Sequence, residues 1–487
     1  MKNSTHITVI FTAIFISVAI LAFVPVYSEE DIQYGINLPD IGDPASEVLS
    51  VNQEAELGKI LIPQLNRRLP VSTDPEIRNY MQSLGTRLIT GGLNSDFPYY
   101  FFLIFDNRIN AFAMPGGIVA INSGLFNLTQ NESELASVVA HEISHVSQRH
   151  IARQFSRQQR MSIVSSLALL GSIIATIYGG EAGGAAAQAT FGGLRDAQMA
   201  YSRAFEQEAD RLGMLLLVNA NLDPHGMPRF FERMNAQSQL GSAQVPEFLR
   251  SHPLTLSRVS DSRARAEQYR HRNYIEDTIH YQYTKARIIA TSNDPNQLVS
   301  YYRKKLEEST SNIHYYIYGL AMSRLGRGNK AIQILNRIDP NNNEQFPVSI
   351  AKAQVLIANR DNQGALDILQ ELDQSYPRNE AVIYYMATAL IESKQPKQAL
   401  DKLDTLNLTI TGNPAIQRLR ARAAKAAGLS WISHEALADY DLMNSKFDSA
   451  MEQYLIALRQ RGIDKNSKVR IEAKKDNLRE LQNKHRR

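Results

Sequence analysis

The sequence predicts a mostly α-helical protein, in which a mixed α+β domain with a small sheet is followed by an α-solenoid. Three observations support this fold class. Polar residues recur at helical spacing around residue 141, two short apolar runs flank a Pro-Gly-Gly turn, and a 34-residue period recurs in the C-terminal half. With 487 residues, 44% of them hydrophobic and 21% charged, the chain has a globular composition and room for about two to four domains.

Charge and cysteine content narrow the classes of partner and site. The formal charge of +4 arises from 53 basic and 49 acidic residues, a balance too mild and too mixed to indicate a nucleic-acid partner. The chain has no cysteine. Disulfides, thiol nucleophiles and cysteine-based metal sites are therefore excluded, and any metal ion has to be held by His, Asp or Glu.

The N-terminal segment, residues 1–28, predicts a secretory signal peptide. Lys2 precedes an apolar run over residues 7–24, Pro25 breaks that run, and the residues that follow suit a signal peptidase. The run approaches the ~20 residues that span a bilayer, so an uncleaved signal anchor is the alternative. We expect export with cleavage of the signal, and a cysteine-free exported chain suits a bacterial periplasm.

Two apolar runs in the first third of the mature chain predict β-strands. They cover residues 99–105 and 118–122. The sequence Pro-Gly-Gly at residues 115–117 separates them and predicts a turn of the chain.

A helix is predicted over residues 132–150. Asn-Glu-Ser-Glu at residues 131–134 has the form of a capping box in front of an apolar run. His141 and His145 are one turn apart, so both imidazoles project from the same face. Two such histidines can bind one Zn²⁺, and Glu142 between them can act as a general base and then as a general acid. The alternative is an ordinary buried helix, because this HExxH pattern also arises by composition alone.

A second helix, predicted over residues 202–217, offers a third ligand. Glu206 and Asp210 are four residues apart and share a face. Glu206 would complete a His₂Glu zinc site. Asp210 is expected to orient one ligand imidazole, and we count it with Glu142 among the catalytic residues. Glu208 points about half a turn away, where a solvated helix face is expected.

His252 is a candidate for the remaining position at the metal. It precedes Pro253, which favours an extended backbone over a helix. A histidine in a loop can reach the open side of a zinc ion, or steady the charge that develops on a substrate carbonyl. The alternative is a surface histidine in a turn.

A strand beside the site helix is expected to hold an extended substrate, as in other zinc peptidases. Asn110, Ala111 and Phe112, continuing to Ala113, are the candidates for this substrate strand. Residues 118–121 are the alternative.

A second apolar stretch over residues 161–180 separates the two predicted ligand helices and is followed by a glycine-rich segment. Four serines interrupt the stretch, which makes a transmembrane helix marginal. One alternative is a mobile helix that lies over the site or makes peripheral contact with the membrane surface. The other is a helix buried in the core of the domain.

The C-terminal half contains a helical repeat. Similar segments align on Ala331, Ala365 and Ala399, whose equal spacing gives the 34-residue period. Twelve residues before each alanine lies another small residue: Gly319, Ala353 and Ala387. This spacing is typical of tetratricopeptide repeats, in which small residues let paired helices approach closely.

The repeat is irregular at both ends. A fourth segment aligns on Ala450, with Ala438 twelve residues before it, but Ala450 follows Ala399 by one and a half periods. We therefore expect an inserted helix or an irregular unit there. Residues 283–306 are the candidate for a degenerate first repeat. The predicted domains are a signal peptide over 1–28, a metal-binding domain over 29–270, the repeats over 271–465 and a charged tail over 466–487.

The motifs together resemble a known family. HExxH at residues 141–145 is followed by ExxxD at residues 206–210, with Asn-Ala-Phe-Ala and Pro-Gly-Gly before them and Ser-His-Pro-Leu after them. This set is similar to the zincin-type zinc metallopeptidases that include HtpX and the CAAX prenyl proteases. With a signal peptide in front and tetratricopeptide repeats behind, the chain is similar to the periplasmic BepA-like members, the beta-barrel assembly-enhancing proteases of Gram-negative bacteria.

The resemblance implies roles for individual residues. His141, His145 and Glu206 match the ligands of one zinc ion per chain, and Glu142 matches the catalytic glutamate. His252 matches a histidine that takes the remaining position on the zinc and restrains activity.

The resemblance also implies a function. We expect a zinc endopeptidase with a chaperone-like role, which degrades misassembled β-barrel proteins and promotes their assembly. Its substrates would be unfolded or stalled outer-membrane proteins, and its repeats would contact the barrel assembly machinery. The alternative is a non-proteolytic repeat scaffold or chaperone with a capped or silent metal site.

Overall fold

The computed structural model describes residues 49–93, 98–157, 202–239, 246–270, 272–341, 343–406, 408–409 and 411–486. These residues belong to one compact unit. Within these ranges, no helix combines the length and the apolar character that crossing a bilayer requires. The predicted signal peptide and the apolar stretch over 161–180 lie outside the described residues.

The N-terminal part combines helices with one small sheet. Its helices are α1 Val51–Arg68, α2 Pro75–Thr90, α3 Ser123–Leu128, α4 Glu132–Ser147, α5 His150–Arg157, α6 Arg203–Asn219, α7 Gly226–Gln239, α8 Glu247–Ser251 and α9 Leu256–Glu267. Its strands are β1 Tyr100–Ile104, β2 Ala111–Met114 and β3 Ile118–Asn122.

The described sheet has the order β1-β3-β2, with β3 in the centre. β1 pairs with β3 in parallel and β2 pairs with β3 antiparallel, with Phe112 opposite Ala120. Both strands predicted around the Pro-Gly-Gly turn are present. The chain makes that turn through Gly116 and Gly117, which have φ values of +82° and +79° that other residues rarely adopt. Of the two candidates for a substrate strand, β3 is paired on both sides, so β2 is the edge strand.

Helix α4 is the centre of the N-terminal core. Every residue from Glu132 to Val146 is buried, because α4 packs against β2, α2, α6 and α7. The side chain of Asn131 caps it by accepting a hydrogen bond from the Glu134 N–H at 3.0 Å. The helix ends at Ser147, three residues before the predicted end, because Arg149 adopts a left-handed conformation with φ +51°.

The C-terminal part is a stack of helix pairs. Its helices are α10 Ile279–Ser292, α11 Pro295–Glu308, α12 Asn312–Arg324, α13 Gly328–Leu335, α14 Gln345–Ala358, α15 Asn362–Ser375, α16 Glu380–Glu392, α17 Pro396–Leu403, α18 Pro414–Ala426, α19 Ser430–Leu442, α20 Phe447–Arg459 and α21 Lys465–Arg486. Residues 283–306, predicted as a degenerate repeat, form the pair α10–α11.

The small residues that define the period lie where paired helices meet. Ala331, Ala365 and Ala399 are fully buried on the second helix of their pairs. A Cβ on Gly319 would lie 2.6 Å from the Leu335 side chain, so at this helix pair even a methyl group would require Leu335 to shift. These contacts explain why the period is visible in the sequence.

The long interval before Ala450 contains the additional helix that the sequence predicts. Two helices, α18 and α19, separate the helix of Ala399 from that of Ala450, where one would complete a regular unit. Ser433, one full period after Ala399, takes the position of the small residue on α19 and donates a hydrogen bond to the Ala421 carbonyl at 3.0 Å. The repeat therefore continues with serine in place of alanine.

The charged C-terminal stretch forms α21, which packs on the preceding helices. Ile471 and Leu478 are fully buried on it. Arg470 and Lys474 each lie 2.9 Å from the buried carboxylate of Glu435. Part of the basic charge in this stretch is therefore neutralised within the molecule.

The two parts of the chain meet through a buried arginine. Arg287 on α10 reaches Asp74 at 2.8 Å and Glu76 at 2.5 Å, both at the start of α2. It also donates to Tyr385 on α16 at 2.5 Å and to Gln354 on α14 at 2.9 Å. One guanidinium thus joins the N-terminal domain to three helices of the solenoid.

Candidate metal centre

Two helices carry the predicted ligands, and a glycine lets them approach. His141, Glu142 and His145 lie on α4, and Glu206 lies on the first turn of α6. Gly213 on α6 faces α4 so closely that a Cβ would lie 3.2 Å from the backbone nitrogen of His141. Because both ligand helices are held at this short distance, Glu206 reaches the two imidazoles.

Four buried side chains converge on one point. His141 Nε2 and His145 Nε2 are 3.0 Å apart, and His252 Nδ1 lies 3.3 Å from His141 Nε2. Glu206 Oε1 lies 3.0 Å from His252 Nδ1 and 3.5 Å from His145 Nε2. All four residues are buried, and their ligand atoms lie within 4.8 Å of one another.

The donor set fits a tetrahedral metal ion. A tetrahedral zinc ion with ligands at about 2.0–2.1 Å holds neighbouring ligand atoms roughly 3.3 Å apart. The four separations of 3.0–3.5 Å given above lie on either side of that value. Three imidazole nitrogens and one carboxylate are ligands that zinc accepts. Arg258 balances the carboxylate charge, since its Nη1 lies 2.6 Å from Glu206 Oε2.

The two histidines of the motif have opposite electrostatic environments. Burial alone would lower the pKa of His141, but hydrogen bonds to Asp210 and Glu206 outweigh it and raise the pKa to about 9. Burial lowers the pKa of His145 to about 3. Burial would raise the pKa of Glu206, but the surrounding histidines hold it well below its usual range. The site therefore favours a charged Glu206 among nitrogen donors.

Glu142 is fully buried beside this group. Its Oε1 lies 3.3 Å from His252 Nε2. Burial raises the pKa of Glu142, and His252, His141 and the backbone of Ala113 on β2 only partly offset that effect. A carboxylate with a raised pKa is suited to take up and release a proton near neutral pH.

Asp210 lies behind the group rather than in it. Its Oδ1 is 3.0 Å from His141 Nδ1, on the far side of the ring from the convergence point. Arg258 donates to both carboxylate oxygens of Asp210, at 2.7 and 2.8 Å. The predicted contact with a ligand imidazole is present, and this geometry is that of a positioning residue.

His252 is held in place by the segment before it. Its ring stacks on Phe248 of α8 with 4.8 Å between ring centroids. The Phe248 N–H donates to the Ile109 carbonyl at 3.2 Å, and Glu247 pairs with Arg108 at 3.1 Å. His252 is therefore fastened to the chain that leads into β2. The interpretation as a surface histidine in a turn is wrong, because His252 is only 1% exposed.

The predicted substrate strand lies next to the group without joining it. Ala111 and Phe112 are in β2, and Asn110 directly precedes it. The Asn110 carbonyl accepts a hydrogen bond from the Asn122 N–H at 3.0 Å, which extends the pairing with β3 by one residue. β2 packs against α4, the helix of the histidine motif.

Sequence reasoning missed three residues around the centre. His150 Nδ1 lies 2.9 Å from His145 Nδ1, and Arg258 joins Asp210 to Glu206. Glu208 was expected on a solvated face, but it lies 3.1 Å from His150 Nε2. His150 could not be found from helical spacing, because the helix of the HExxH motif ends before Arg149 and His150 lies beyond that end.

Comparison with known proteins relates the chain to peptidases. Peptidase family M48 matches residues 75–266, and a tetratricopeptide repeat family matches residues 356–423. The Beta-barrel assembly-enhancing protease of Yersinia pestis is 32% identical over 450 residues, which cover 91% of this chain and 92% of the relative.

Two further relatives are also peptidases. The Beta-barrel assembly-enhancing protease of Escherichia coli K12 is 33% identical over 455 residues, with 91% of this chain and 92% of the relative covered. The Mitochondrial metalloendopeptidase OMA1 of Schizosaccharomyces pombe is 30% identical over 186 residues, which are 37% of this chain and 50% of the relative. The chain is a metalloendopeptidase and belongs to the family of beta-barrel assembly-enhancing proteases, with an M48 peptidase domain followed by tetratricopeptide repeats.

Proposed function

We propose that this chain is a periplasmic zinc endopeptidase of outer-membrane protein quality control, which degrades misassembled β-barrel proteins and promotes their assembly. The observation that carries the proposal is the convergence of His141, His145, Glu206 and His252 beside the buried Glu142. The names of the relatives that match over 92% of their length support a protease that acts in β-barrel assembly. The signal peptide predicted from the sequence supports export.

In this proposal, His141, His145 and Glu206 are the permanent ligands of one zinc ion per chain. A zinc ion bound here supplies a Lewis acid that polarises the scissile carbonyl and acidifies the attacking water. Asp210 Oδ1, 3.0 Å from His141 Nδ1, would hold the tautomer with a hydrogen on Nδ1, which keeps His141 Nε2 free as a ligand. Glu142 takes the proton from the attacking water and passes it to the leaving amine.

β2 supplies the platform for the substrate. An extended peptide that adds to an edge strand gains main-chain hydrogen bonds without a fixed side-chain sequence. Asn110, Ala111 and Phe112 would contact the substrate backbone. Stalled β-barrel proteins suit this recognition, because their strand edges remain unpaired until the barrel closes. The repeats would bring the enzyme to the barrel assembly machinery.

We infer that His252 is a cap on this centre. Its Nδ1 faces the ligand group, and its Nε2 lies next to Glu142. The same imidazole therefore occupies the fourth position and engages the general base. Catalysis requires His252 to withdraw, so the proposed protease is restrained until a substrate or partner moves the α8 segment.

Replacing Glu142 by Gln tests the proposed chemistry. Gln keeps the shape of the side chain but cannot take a proton, so casein cleavage by the zinc-loaded full chain should fall by about 10²- to 10⁴-fold. The comparison is made in the His252→Ala background, which removes the cap. Metal content is measured in parallel, and should be kept in Glu142→Gln but lost in Glu206→Ala.

The control is Glu232→Gln, which removes a carboxylate that lies exposed on α7. It should cleave casein at the uncapped rate. Undiminished cleavage by Glu142→Gln would overturn the assignment of the base. Absence of cleavage in every variant, with zinc bound, would favour the scaffold with a silent site. Retention of zinc by Glu206→Ala would overturn the ligand set, and metal analysis also reveals whether another divalent ion takes the site.

A further inference from the structure

We propose that His150 and Glu208 form a relay that fixes the tautomer of His145 and so sets how tightly the centre holds zinc. The proposal rests on the metal centre proposed above. Neither residue belongs to the four-residue group that converges on the metal position. Both are therefore positioning residues, which act through His145.

His145 faces a different partner on each side of its ring. Its Nε2 faces the ligand group, 3.0 Å from His141 Nε2 and 3.5 Å from Glu206 Oε1. Its Nδ1 lies 2.9 Å from His150 Nδ1. A neutral imidazole carries one hydrogen, so the partner at Nδ1 decides whether Nε2 has a lone pair for a metal.

Glu208 decides the direction of the hydrogen bonds. Its carboxylate Oε2 lies 3.1 Å from His150 Nε2, and an ionised carboxylate can only accept. His150 Nε2 therefore carries the hydrogen and His150 Nδ1 is an acceptor. His145 Nδ1 must then donate, which leaves His145 Nε2 bare toward the metal position. The reversed chain would leave His150 Nε2 without a hydrogen against the carboxylate, and would point an N–H at the metal.

The fold locks the relay in place. The left-handed conformation of Arg149 follows the end of α4, and the next residue, His150, lies against His145. The His150 ring stacks on Phe205, with centroids 4.3 Å apart and planes at 14°. Arg153 Nη1 lies 3.0 Å from Glu208 Oε2 and holds the carboxylate. His150 is fully buried, so water does not compete for its nitrogens.

The relay differs from the support of the other ligand histidine. His141 Nδ1 lies directly against the carboxylate of Asp210, 3.0 Å from Oδ1. The Nδ1 side of His145 reaches a carboxylate through a second imidazole. Helix α6 contributes to both the metal position and the relay. Its Glu206 faces the metal position, and its Glu208 contacts His150. Partners of this kind are worth about 10- to 100-fold in metal affinity.

The test measures the zinc affinity of the full chain by competition with a chromogenic zinc chelator, with thermal unfolding as a check of folding. His150→Phe keeps the ring and its stacking but has no acceptor, and zinc affinity should fall by about 10- to 100-fold. His150→Asn places an amide oxygen near the Nδ1 position and should recover most of that loss. Glu208→Ala should weaken affinity in the parent chain but add nothing in the His150→Phe background, because the relay acts in series.

Gln207→Ala is the matched control, since Gln207 is exposed next to Glu208 on α6. It should bind zinc as the parent chain does. Parent-like affinity of His150→Phe, or an equal loss in His150→Asn and His150→Phe, would overturn the relay while leaving the metal centre intact. Failure of the parent chain to bind zinc would instead overturn the proposed function. If His150→Phe does not fold, His150→Asn and Glu208→Ala decide, and parent-like affinity in Glu208→Ala would overturn the relay.

Discussion

At the scale of single residues, three histidines around the centre differ in the partner that supports each ring. His141 is supported by Asp210, His145 by His150, and His252 is stacked on Phe248. Each ring presents one nitrogen to the four-residue group, and the other nitrogen lies next to Asp210, His150 or Glu142 respectively. The chemistry of the site therefore depends on the second layer of contacts as much as on the ligands themselves.

Removal of the capping imidazole should activate the enzyme. If His252 occupies the fourth position in about nine molecules of ten, His252→Ala should raise casein cleavage about tenfold, because only uncapped molecules are competent. Cleavage is measured with zinc-loaded protein at saturating and subsaturating casein. Parallel metal analysis ensures that both proteins contain the same amount of zinc.

His225→Ala is the control for this prediction. His225 lies away from the site, where it pairs with Asp223 at 3.1 Å. Its replacement should leave cleavage unchanged. A fall in cleavage by His252→Ala, with zinc retained, would contradict the cap and support the other role predicted for this histidine, the stabilisation of charge on the substrate carbonyl.

The pH dependence of the uncapped enzyme should report Glu142. Its pKa is raised by burial, and only the ionised form accepts a proton. Casein cleavage by His252→Ala should therefore fall as pH is lowered, with an acidic limb above the ordinary glutamate pKa of 4.5. A rate that stays level down to that value would contradict the buried base.

At the scale of elements, the distance between α4 and α6 decides whether a site forms. Glu206 lies far along the chain from the histidine motif and reaches it only because α6 packs closely on α4. The close contact is made at Gly213, two turns beyond Glu206, where the two nearest atoms belong to the α4 backbone. Backbone cannot move aside as a flexible side chain can, so this spacing is fixed.

Gly213→Val should therefore damage the site from a distance. The added carbons would meet the His141 backbone and push α6 away, which should destabilise the fold by about 1–3 kcal/mol and weaken zinc binding. Urea unfolding and metal content measure the two effects. Arg211→Val introduces the same residue at an exposed position of α6 and should keep the zinc. Equal zinc content in the two variants would show that close packing at residue 213 is not required.

At the scale of the whole molecule, the peptidase domain and the repeats share a buried polar joint. Arg287 is fully buried and faces Asp74, Glu76 and Tyr385 from different parts of the chain. Burial raises the pKa of Glu76 to about 7; the attraction of Arg287 opposes this rise and the repulsion from Asp74 adds to it. Unfolding releases Glu76 to its ordinary value of 4.5.

The joint should make stability depend on pH. Between those two pKa values the folded chain binds more protons than the unfolded chain. The contribution of protonated Glu76 to the free energy of unfolding is therefore full below pH 4.5 and is lost as pH rises through 7. From pH 5 to 8, the parent should lose about 2 kcal/mol relative to Glu76→Gln. Urea unfolding at both pH values measures the difference. Glu452→Gln, an exposed replacement on α20, should follow the parent, and parallel behaviour of Glu76→Gln would contradict the prediction.

Much of the fold and of the site could be predicted because the signals are local. The histidine spacing, the Asn131 cap and the 34-residue period each arise within one helix or one helix pair. The strands around the Pro-Gly-Gly turn were predicted within one residue at each end. The carboxylate at residue 206 could be predicted as a candidate ligand, since its helix carries the right residue types at helical spacing. The domain boundaries at residues 270 and 465 stay predictions.

The sequence by itself determined which side chains are available and which helix face each one occupies, because these follow from local periodicity and residue chemistry. The tertiary structure alone decided which of them meet. The turn at Arg149 brings His150 behind His145, Arg258 reaches back to Asp210, and the partly exposed Glu208 contacts His150. The last two contacts join residues about 50 positions apart in the sequence. They depend on how the helices pack, and no local sequence pattern predicts that packing.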